Sequence, residues 1–213
     1  VQKLLVANIV EEVSREEGTC INPLSVATNS KLKKRLCIDL SGKYNGLSQS
    51  KKFRIESTRE ALQVIRRGDW MFLFDLKSAY LMIPVHPRFT RYLGFVVEED
   101  DGSRTYYKYL MLPFGLNDAA RVLTRVMKSP IDRWRQQGIV VFIHIDDGFV
   151  CMADKGKAAR ASEVVRNDLI RYRLLISEAK CSWGARRTLE WTGFVFDTVN
   201  FRLTVPKWKL EKG

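Results

Sequence analysis

The chain has 213 residues, and its 36 lysines and arginines outnumber its 24 acidic residues, which gives a formal net charge of +12. Hydrophobic residues make up 46% of the chain and charged residues 28%, which excludes disordered, collagen-like and low-complexity proteins and fits a domain with a sizeable core. The excess positive charge favours a polyanionic partner, because basic side chains that neutralise phosphates release counterions, although solubility alone would also explain it.

The chain has none of the signals of a membrane or secreted protein. Its longest apolar stretch, residues 138–145, is far shorter than the ~20 residues of a membrane-spanning helix, and its N-terminal segment is too acidic for a signal peptide. Its four cysteines lie far apart and it has only two histidines, which argues against a disulfide framework or a zinc site. We therefore expect an intracellular protein that makes no contact with a membrane.

The pattern of apolar and polar residues predicts an α+β fold. In the first half of the chain we expect a basic, exposed strand or hairpin at 31–40, a short helix at 57–67, a buried strand at 71–74 ending at Asp75, and two strands around an acidic turn at 98–101. A long helix should follow, capped by Asn117 or Asp118, bent near Pro130 and ended by Gly138. After it we expect an apolar hairpin at 139–152, a helix at 155–172 and short strands at 183–205. The order strand, helix, strand, strand, helix, strand is typical of a split βαβ unit, an antiparallel sheet with helices on one face.

The helix predicted at 57–67 has a clear start signal. Ser57 and Glu60 have the spacing of a capping box, in which each side chain bonds the backbone of the other residue. Leu62 and Ile65 lie on one face of such a helix, and Gly68 would end it.

Acidic residues stand at the ends of two apolar segments. Asp75 follows MFLF, and Asp146 and Asp147 follow VVFIHI. Taken alone, Asp147-Gly148 is typical of a type I′ hairpin turn. A carboxylate at the end of a buried strand needs a neutralising partner, however, and two such strands side by side would bring Asp75 and Asp146 to shared cations.

This chemistry indicates a metal-dependent reaction at phosphorus. With few nitrogen or sulfur ligands available, an oxygen-only site favours Mg²⁺ or Mn²⁺. Two such ions about 4 Å apart stabilise the attacking and leaving oxygens of an in-line phosphoryl displacement. In a strongly basic chain, such a site suggests nucleotidyl transfer.

Over residues 22–209 the sequence resembles the fingers and palm of retroelement reverse transcriptases, most closely those of LTR-type and tyrosine-recombinase-type retrotransposons. The matching segments occur in the family's order and with its spacing: RLCIDL (35–40), FDLKSAYLMIPVHP (74–87), YLGF (92–95), LPFGLNDAARVLTRVM (112–127), HIDD (144–147), EAKC (178–181) and WTGF (191–194).

The resemblance implies a right-hand polymerase fold whose palm is a ferredoxin-like split βαβ sheet. The fingers would lie at about 1–70 and 88–112, and the palm with its primer-grip hairpin at about 71–87 and 113–213, so that 1–213 is one reverse transcriptase domain. No segment matches a thumb or an RNase H, so we expect further domains of a longer polyprotein or a partner protein.

The activity implied is that of an RNA-directed DNA polymerase, which adds deoxynucleotides to the 3′-hydroxyl of a DNA or RNA primer on an RNA template with two Mg²⁺ ions, or Mn²⁺ in their place. The alternative is a domesticated palm, weak or inactive in catalysis, that serves as a binding module for nucleic acid or a ribonucleoprotein. Nucleic acid and dNTP are thus the expected partners.

Residue roles follow from the same resemblance. Asp75, Asp146, Asp147 and the backbone carbonyl of Leu76 would bind metal, and Lys180 would protonate the departing pyrophosphate. Nucleotide contacts would come from Arg35, Lys33, the steric gate Tyr80, Phe114 and Gly115. Primer and template contacts would come from His144, Arg121, Arg125, Trp191, Thr192 and Gly193. A surface lysine, a core tyrosine and a solvated basic helix face would explain several of these residues without any ligand.

The sequence departs from the family pattern at two places. His144 stands two residues before the first aspartate of the double-Asp motif, where the family usually has an aromatic residue, most often Tyr. Asp118-Ala119-Ala120 replaces the common Ser-Ala-Pro. The first change bears on how the primer terminus is seated, and the second adds an acid at a helix N-terminus.

Overall fold

The computed structural model describes residues 1–15, 19–28, 34–42, 44–47 and 52–210. The strands are β1 (Val10–Val13), β2 (Ile21–Asn22), β3 (Leu24–Thr28), β4 (Lys34–Ile38), β5 (Trp70–Asp75), β6 (Gly94–Glu98), β7 (Arg104–Tyr109), β8 (Val140–His144), β9 (Asp147–Met152), β10 (Ser182–Arg186), β11 (Thr188–Trp191), β12 (Phe194–Asp197) and β13 (Arg202–Thr204). The α-helices are α1 (Gln2–Val6), α2 (Tyr44–Leu47), α3 (Thr58–Leu62), α4 (Pro87–Thr90), α5 (Ala119–Gln136), α6 (Lys155–Arg171) and α7 (Lys207–Leu210). Short 3-10 helices lie at Ala79–Met82 and Glu178–Lys180.

The chain folds into two compact units. The first comprises Val1–Lys52 and Tyr80–Leu123, and the second comprises Phe53–Ala79 and Thr124–Gly213. No helix in the described part of the chain is long and apolar enough to cross a membrane.

The first unit contains a four-stranded sheet in the order β1-β7-β6-β2 and a separate β3-β4 hairpin. Its core is rich in aromatic rings, with Phe95 stacked on Tyr107 at 5.5 Å between ring centroids. The β6-β7 hairpin and its exposed acidic turn confirm the prediction for that region. The pairing of β3 with β4 confirms the predicted strand or hairpin, of which residues 31–33 lie outside the described part. The prediction that it is exposed holds for Lys34 and Arg35 but is wrong for Ile38 and Leu40, which are each 1% exposed and belong to the core.

The second unit is built on an antiparallel sheet in the order β10-β5-β9-β8. The elements follow the chain as β5, α5, β8, β9, α6 and β10, with part of the first unit inserted between β5 and α5. Helix α6 packs against β5, β9 and β10. The ring of Phe74 lies at 5.9 Å from Trp134 of α5 and at 6.3 Å from Trp183 of β10. The predicted α+β class and this element order are therefore confirmed.

The opposite face of this sheet is also covered, which the sequence pattern did not predict. A three-stranded sheet in the order β11-β12-β13 packs there. Phe149 of β9 stacks on Trp191 at 5.0 Å and contacts Phe196 at 5.1 Å between centroids. Each of these three rings is at most 3% exposed, so this layer fixes the part of the sheet that leads to the acidic residues.

Helix α3 begins as predicted and ends early. Ser57 and Glu60 form the capping box, but the helix stops at Leu62. The predicted end at residue 67 is therefore wrong, and Leu62 is 46% exposed, whereas Ala61 and Ile65 are buried. The next turn is diverted because the backbone N–H of Arg66 donates to the carboxylate of Asp69 rather than continuing a helix.

Candidate active site

The acidic residues of the second unit lie at one end of its main sheet. Asp75 ends β5 and Asp147 begins β9, and the two are directly opposite each other in the antiparallel register. The backbone N–H of Leu76 donates to the carbonyl oxygen of Asp146 at 2.9 Å, which ties the β8-β9 turn to the end of β5. The structure therefore places the backbones of the three predicted aspartates and of Leu76 at the same end of this sheet.

The turn that carries Asp146 differs from the one predicted. His144 pairs with Asp147, so the two turn residues are Ile145 and Asp146, and Asp147-Gly148 already belongs to β9. The prediction of a turn at Asp147-Gly148 is therefore wrong. Ile145 has φ = 60°, a left-handed conformation that a β-branched residue rarely adopts and that costs about 1–3 kcal/mol.

Asp75 is held from several sides. It is 4% exposed, and its Oδ2 accepts a hydrogen bond from Lys180 Nζ at 2.6 Å. Its backbone N–H donates to the sulfur of Cys181 at 3.3 Å, and its carbonyl oxygen accepts from the N–H of Ser177 at 2.8 Å. Its Oδ1 is buried without a hydrogen-bond partner among the described residues. An orphaned buried carboxylate oxygen is costly unless a cation or donor meets it.

The acids and Lys180 perturb one another. Burial raises the pKa of Asp147 to about 7, and a side-chain hydrogen bond with Asp75 and the charges of Asp146 and Asp75 act in the same direction, whereas the charge of Lys180 opposes them. The pKa of Lys180 is also raised, chiefly by its hydrogen bond to Asp75. Negative charge thus accumulates at this end of the sheet beyond what Lys180 balances.

The residues at this end fit a divalent cation by donor chemistry. Carboxylate oxygens are the ligands that Mg²⁺ and Mn²⁺ prefer, and the orphaned Oδ1 of Asp75 points to a missing positive partner. Within the described ranges, no three His, Cys, Asp or Glu side chains are already close enough together to hold a metal ion. In the described part of the chain the aspartate side chains are therefore not already arranged as a metal site, and Lys180 bonds Oδ2 of Asp75.

His144 lies at the end of β8, next to the turn. Its Nδ1 donates to the backbone carbonyl oxygen of Glu56 at 2.9 Å, which fixes the ring and leaves Nε2 for another partner. The Glu56 carboxylate accepts from Arg135 and, at 3.0 Å, from the N–H of Ile143. Sequence reasoning missed Glu56, and only its position just before the capping box could have drawn attention to it.

The predicted primer-grip residues form the tight turn between β11 and β12. Thr192 and Gly193 have φ values of 48° and 78°, as in a type I′ turn. Trp191 anchors this hairpin in the core at 3% exposure, so its side chain acts through packing. Thr192 and Thr58 share a hydrogen bond at 2.7 Å between their hydroxyls, and Lys209 donates to the carbonyl oxygen of Gly193.

The predicted nucleotide-binding residues that the structure describes meet in the first unit. Tyr80 lies edge-on to Phe114 at 5.6 Å between ring centroids, and the Arg35 guanidinium lies 5.3 Å from the centroid of the same ring. Gly115 has φ = 110°, and a Cβ there would lie 1.9 Å from the carbonyl oxygen of Ile38, so this position requires glycine. Lys33 lies outside the described residues.

Asn45 holds the loop that follows this aromatic cluster. Its Nδ2 donates to the carbonyl oxygen of Gly115 at 2.8 Å, and its Oδ1 accepts from the N–H of Asn117 at 3.1 Å. Sequence reasoning missed this residue, since an asparagine in a polar segment gives no local sign of a partner about 70 positions away.

The two predicted arginines of α5 differ in their surroundings. Arg121 is paired with Asp118 at 2.8 Å. Asp118 directly precedes the helix, and its carbonyl oxygen accepts from the N–H of Val122. Arg125 is exposed one turn further along. The basic side of α5 is thus partly neutralised at its N-terminal end.

Residues 19–196 match the protein family described as reverse transcriptase (RNA-dependent DNA polymerase). A similar protein is the retrovirus-related Pol polyprotein from transposon gypsy of Drosophila melanogaster, which is 25% identical over 162 residues. That alignment covers 76% of this chain and 15% of the relative, so the chain spans a small part of the protein that it matches. These findings confirm the resemblance to retrotransposon reverse transcriptases drawn from the motif segments.

Proposed function

The chain belongs to the reverse transcriptase (RNA-dependent DNA polymerase) family, and on that premise we propose that it adds deoxynucleotides to the 3′ end of a DNA or RNA primer annealed to an RNA template. The palm would comprise about residues 71–87 and 113–213, and the fingers about residues 1–70 and 88–112. Because the chain covers 15% of the polyprotein relative, we further propose that it works within a longer polyprotein or with a partner protein that supplies a thumb and an RNase H.

The observation that carries this proposal is the acid end of the β5-β9 pair. A buried carboxylate with one orphaned oxygen, opposite a carboxyl group with a raised pKa, is unfavourable by itself and favourable around bound cations. Asp75, Asp146 and Asp147, with the carbonyl of Leu76, would hold two Mg²⁺ or Mn²⁺ ions. When bound, these ions would supply the charge that stabilises the attacking and leaving oxygens of a phosphoryl displacement.

Lys180 would act on the leaving pyrophosphate. Its ammonium lies beside Asp75, and 62% of its side chain is exposed, so it can reach a ligand at this end of the sheet. Its raised pKa keeps the proton on Nζ at neutral pH. It could therefore stabilise the departing group and deliver a proton to it.

Nucleotide selection would fall to the aromatic cluster of the first unit. Arg35, beside Phe114, would contact the triphosphate through its planar guanidinium. Tyr80, fixed edge-on against Phe114, would exclude a ribose 2′-hydroxyl. Gly115 would lie with Phe114 beneath the incoming nucleotide and the template base.

Primer placement would fall to the β8-β9 turn and the β11-β12 hairpin. His144 has Nε2 left for another partner because Glu56 holds the other ring nitrogen. Thr192 and Gly193 would offer backbone groups at a rigid turn to the primer strand. Arg125 and, once released from Asp118, Arg121 would contact phosphates of the duplex.

One observation favours a second candidate function. The ammonium of Lys180 occupies Oδ2 of Asp75 at 2.6 Å, an arrangement that competes with a cation. A palm that has lost catalysis would retain this ion pair permanently and use its basic surface to bind nucleic acid or a ribonucleoprotein. Strong, salt-sensitive binding without metal-dependent synthesis would favour this candidate.

Primer extension tests the proposed function. The chain within its longer parent protein, with poly(A) template, oligo(dT) primer, dTTP and Mg²⁺, should lengthen the primer, and EDTA should stop the reaction. Binding of the template-primer with no extension under either Mg²⁺ or Mn²⁺ would overturn the polymerase proposal in favour of the binding module.

The same assay tests the role of Tyr80. We expect Tyr80→Ala to reduce the preference for dTTP over UTP by roughly 10²-fold, since the ring would no longer meet the 2′-hydroxyl. Tyr172→Ala, which removes an exposed tyrosine at the end of α6, is the matched control and should leave the preference unchanged. Equal preference in all three proteins would contradict the steric-gate role.

A further inference from the structure

The end of the main sheet opposite the acids carries a second group of charged and aromatic residues. Strand β5 begins at Trp70 and ends at Asp75, so the two ends are separated by about 17 Å along the strand. The Arg187 guanidinium lies 4.5 Å and the Lys155 ammonium 5.4 Å from the centroid of the Trp70 ring. This cluster therefore lies well away from the proposed polymerase centre.

A cavity adjoins this cluster. Met152, which pairs with Trp70 in the β5-β9 register, lines it. Its volume is about 400 Å³, within the size range of pockets that hold small ligands. Its apolar floor comprises Ile139, Met152, Ala161 and Val164, and the cations Lys157 and Arg160 line it as well.

The cations of this region are available to a ligand. Lys155, Lys157, Arg160 and Arg187 are all exposed. Within the described residues, Lys155, Arg160 and Arg187 form no ion pair with an acidic side chain, and Lys157 lies 3.7 Å from Asp154 in an exposed pair. Basic residues elsewhere, such as Arg135 and Arg166, are paired with Glu56 and Glu178. The charge of Asp154 acts on Lys157 and Arg160, so one acidic side chain faces these cations and this end of the sheet keeps an excess of positive charge.

We propose that this region, which we call the basal cation surface (Trp70, Lys155, Lys157, Arg160 and Arg187), is a second nucleic-acid-binding surface that holds a single strand, with phosphates on the cations and an unstacked base in the adjoining cavity. Cations beside an aromatic ring and an apolar pocket match the chemistry by which proteins bind single strands. An acidic protein segment, the alternative partner, would pair with the cations but would not account for the adjoining cavity. The proposal goes beyond polymerisation, since it requires neither dNTP nor metal.

A charge-reversal variant of the full chain tests it. Binding of a fluorescent 20-nucleotide single-stranded RNA is measured by anisotropy at several salt concentrations, with EDTA present so that the acid end holds no metal. We expect Lys155→Glu/Arg160→Glu/Arg187→Glu to weaken binding tenfold or more at about 0.1 M salt and to lower the log–log salt slope by about 2, as expected for losing three phosphate contacts on a single strand.

The matched control reverses three exposed cations elsewhere, Lys3→Glu/Arg171→Glu/Lys207→Glu, for the same change in net charge. It should change binding less than threefold and leave the slope nearly intact, and circular dichroism should show that both variants are folded. Equal weakening of RNA binding in the two variants would overturn the proposal, since the lower net charge alone would then explain the loss of affinity.

Crosslinking locates the bound strand independently of any variant. RNA containing 4-thiouridine should crosslink to the segment containing Met152 or Trp70. Crosslinks confined to other segments would overturn the proposal. Because neither experiment involves synthesis, failure here leaves the polymerase proposal untouched, and absence of primer extension leaves this one untouched.

Discussion

Replacing Asp75 by asparagine is expected to slow primer extension by about 10³-fold or more. Metal ions stabilise the transition state of phosphoryl transfer by several kcal/mol, and each 1.4 kcal/mol corresponds to a factor of about ten in rate. The substitution keeps the size of the side chain and an acceptor for Lys180, whose ammonium now bonds Oδ2 at 2.6 Å. It removes the charge that a divalent cation would meet at the orphaned Oδ1. Steady-state extension of oligo(dT) on poly(A) gives the rate.

The control for this prediction is Glu98→Gln, which also converts an acid to its amide. Glu98 lies on an exposed hairpin, paired with Arg104 at 3.0 Å, and this change should leave the rate within about twofold because exposed ion pairs contribute little. Circular dichroism should show the same secondary structure for both variants. An Asp75→Asn protein that is folded and extends primers as fast as Glu98→Gln would remove Asp75 from the catalytic centre.

Gly148→Ala is expected to destabilise the second unit by about 3 kcal/mol, at the upper end of the usual cost of overpacking a core. A Cβ at this position would lie 2.0 Å from Cζ of Phe74. That ring cannot easily move aside, since it is stacked on Trp183 and edge-on to Trp134. In a chain of this size the loss corresponds to a fall of roughly 6–12 °C in Tm, which thermal unfolding followed by circular dichroism would detect.

Gly184→Ala is the matched control, because no heavy atom lies within 4 Å of the Cβ it would add. We expect this substitution in β10 to leave Tm nearly unchanged. Adding Phe74→Leu to Gly148→Ala should recover part of the loss, since a smaller side chain makes room for the new methyl group. Equal Tm values for Gly148→Ala and Gly184→Ala would show that the ring does not require glycine at position 148.

Gly148 also shows where local sequence reasoning fails. Asp-Gly is a strong hairpin signal, but here the glycine is needed for space rather than for a turn. Asp147 pairs with Asp75 of β5 on one side and with His144 of β8 on the other, so it already belongs to strand β9. The turn therefore lies two residues earlier, at Ile145 and Asp146. That register is set by pairing across the sheet, which propensities at positions 147 and 148 do not contain.

Long, strongly periodic elements were predictable because their own sequence pattern determines them. The strand ending at Asp75, the helices α5 and α6 and the hairpin that carries the double-Asp motif all have apolar patterns that match one secondary structure over many residues. The helix at 57–67 was predicted too long, because two apolar residues at helical spacing do not determine where a helix ends, and α3 has only five residues.

The candidate site was predictable where residues follow one another and not where they come from distant segments. Asp75, Asp146 and Asp147 were found from their positions after apolar runs. Glu56 and Asn45 were not, because their partners lie about 70 to 90 positions away. Their backbone and side-chain contacts exist only once the chain has folded.

Mn²⁺ binding to the chain, measured by electron paramagnetic resonance of the free ion with template-primer and dNTP present, tests most directly whether the acids at the ends of β5 and β8 hold divalent cations. We predict two bound ions per chain in the unsubstituted protein and loss of this binding in Asp75→Asn and Asp146→Asn, with Glu98→Gln unchanged. Equal Mn²⁺ binding by all four proteins would contradict the account.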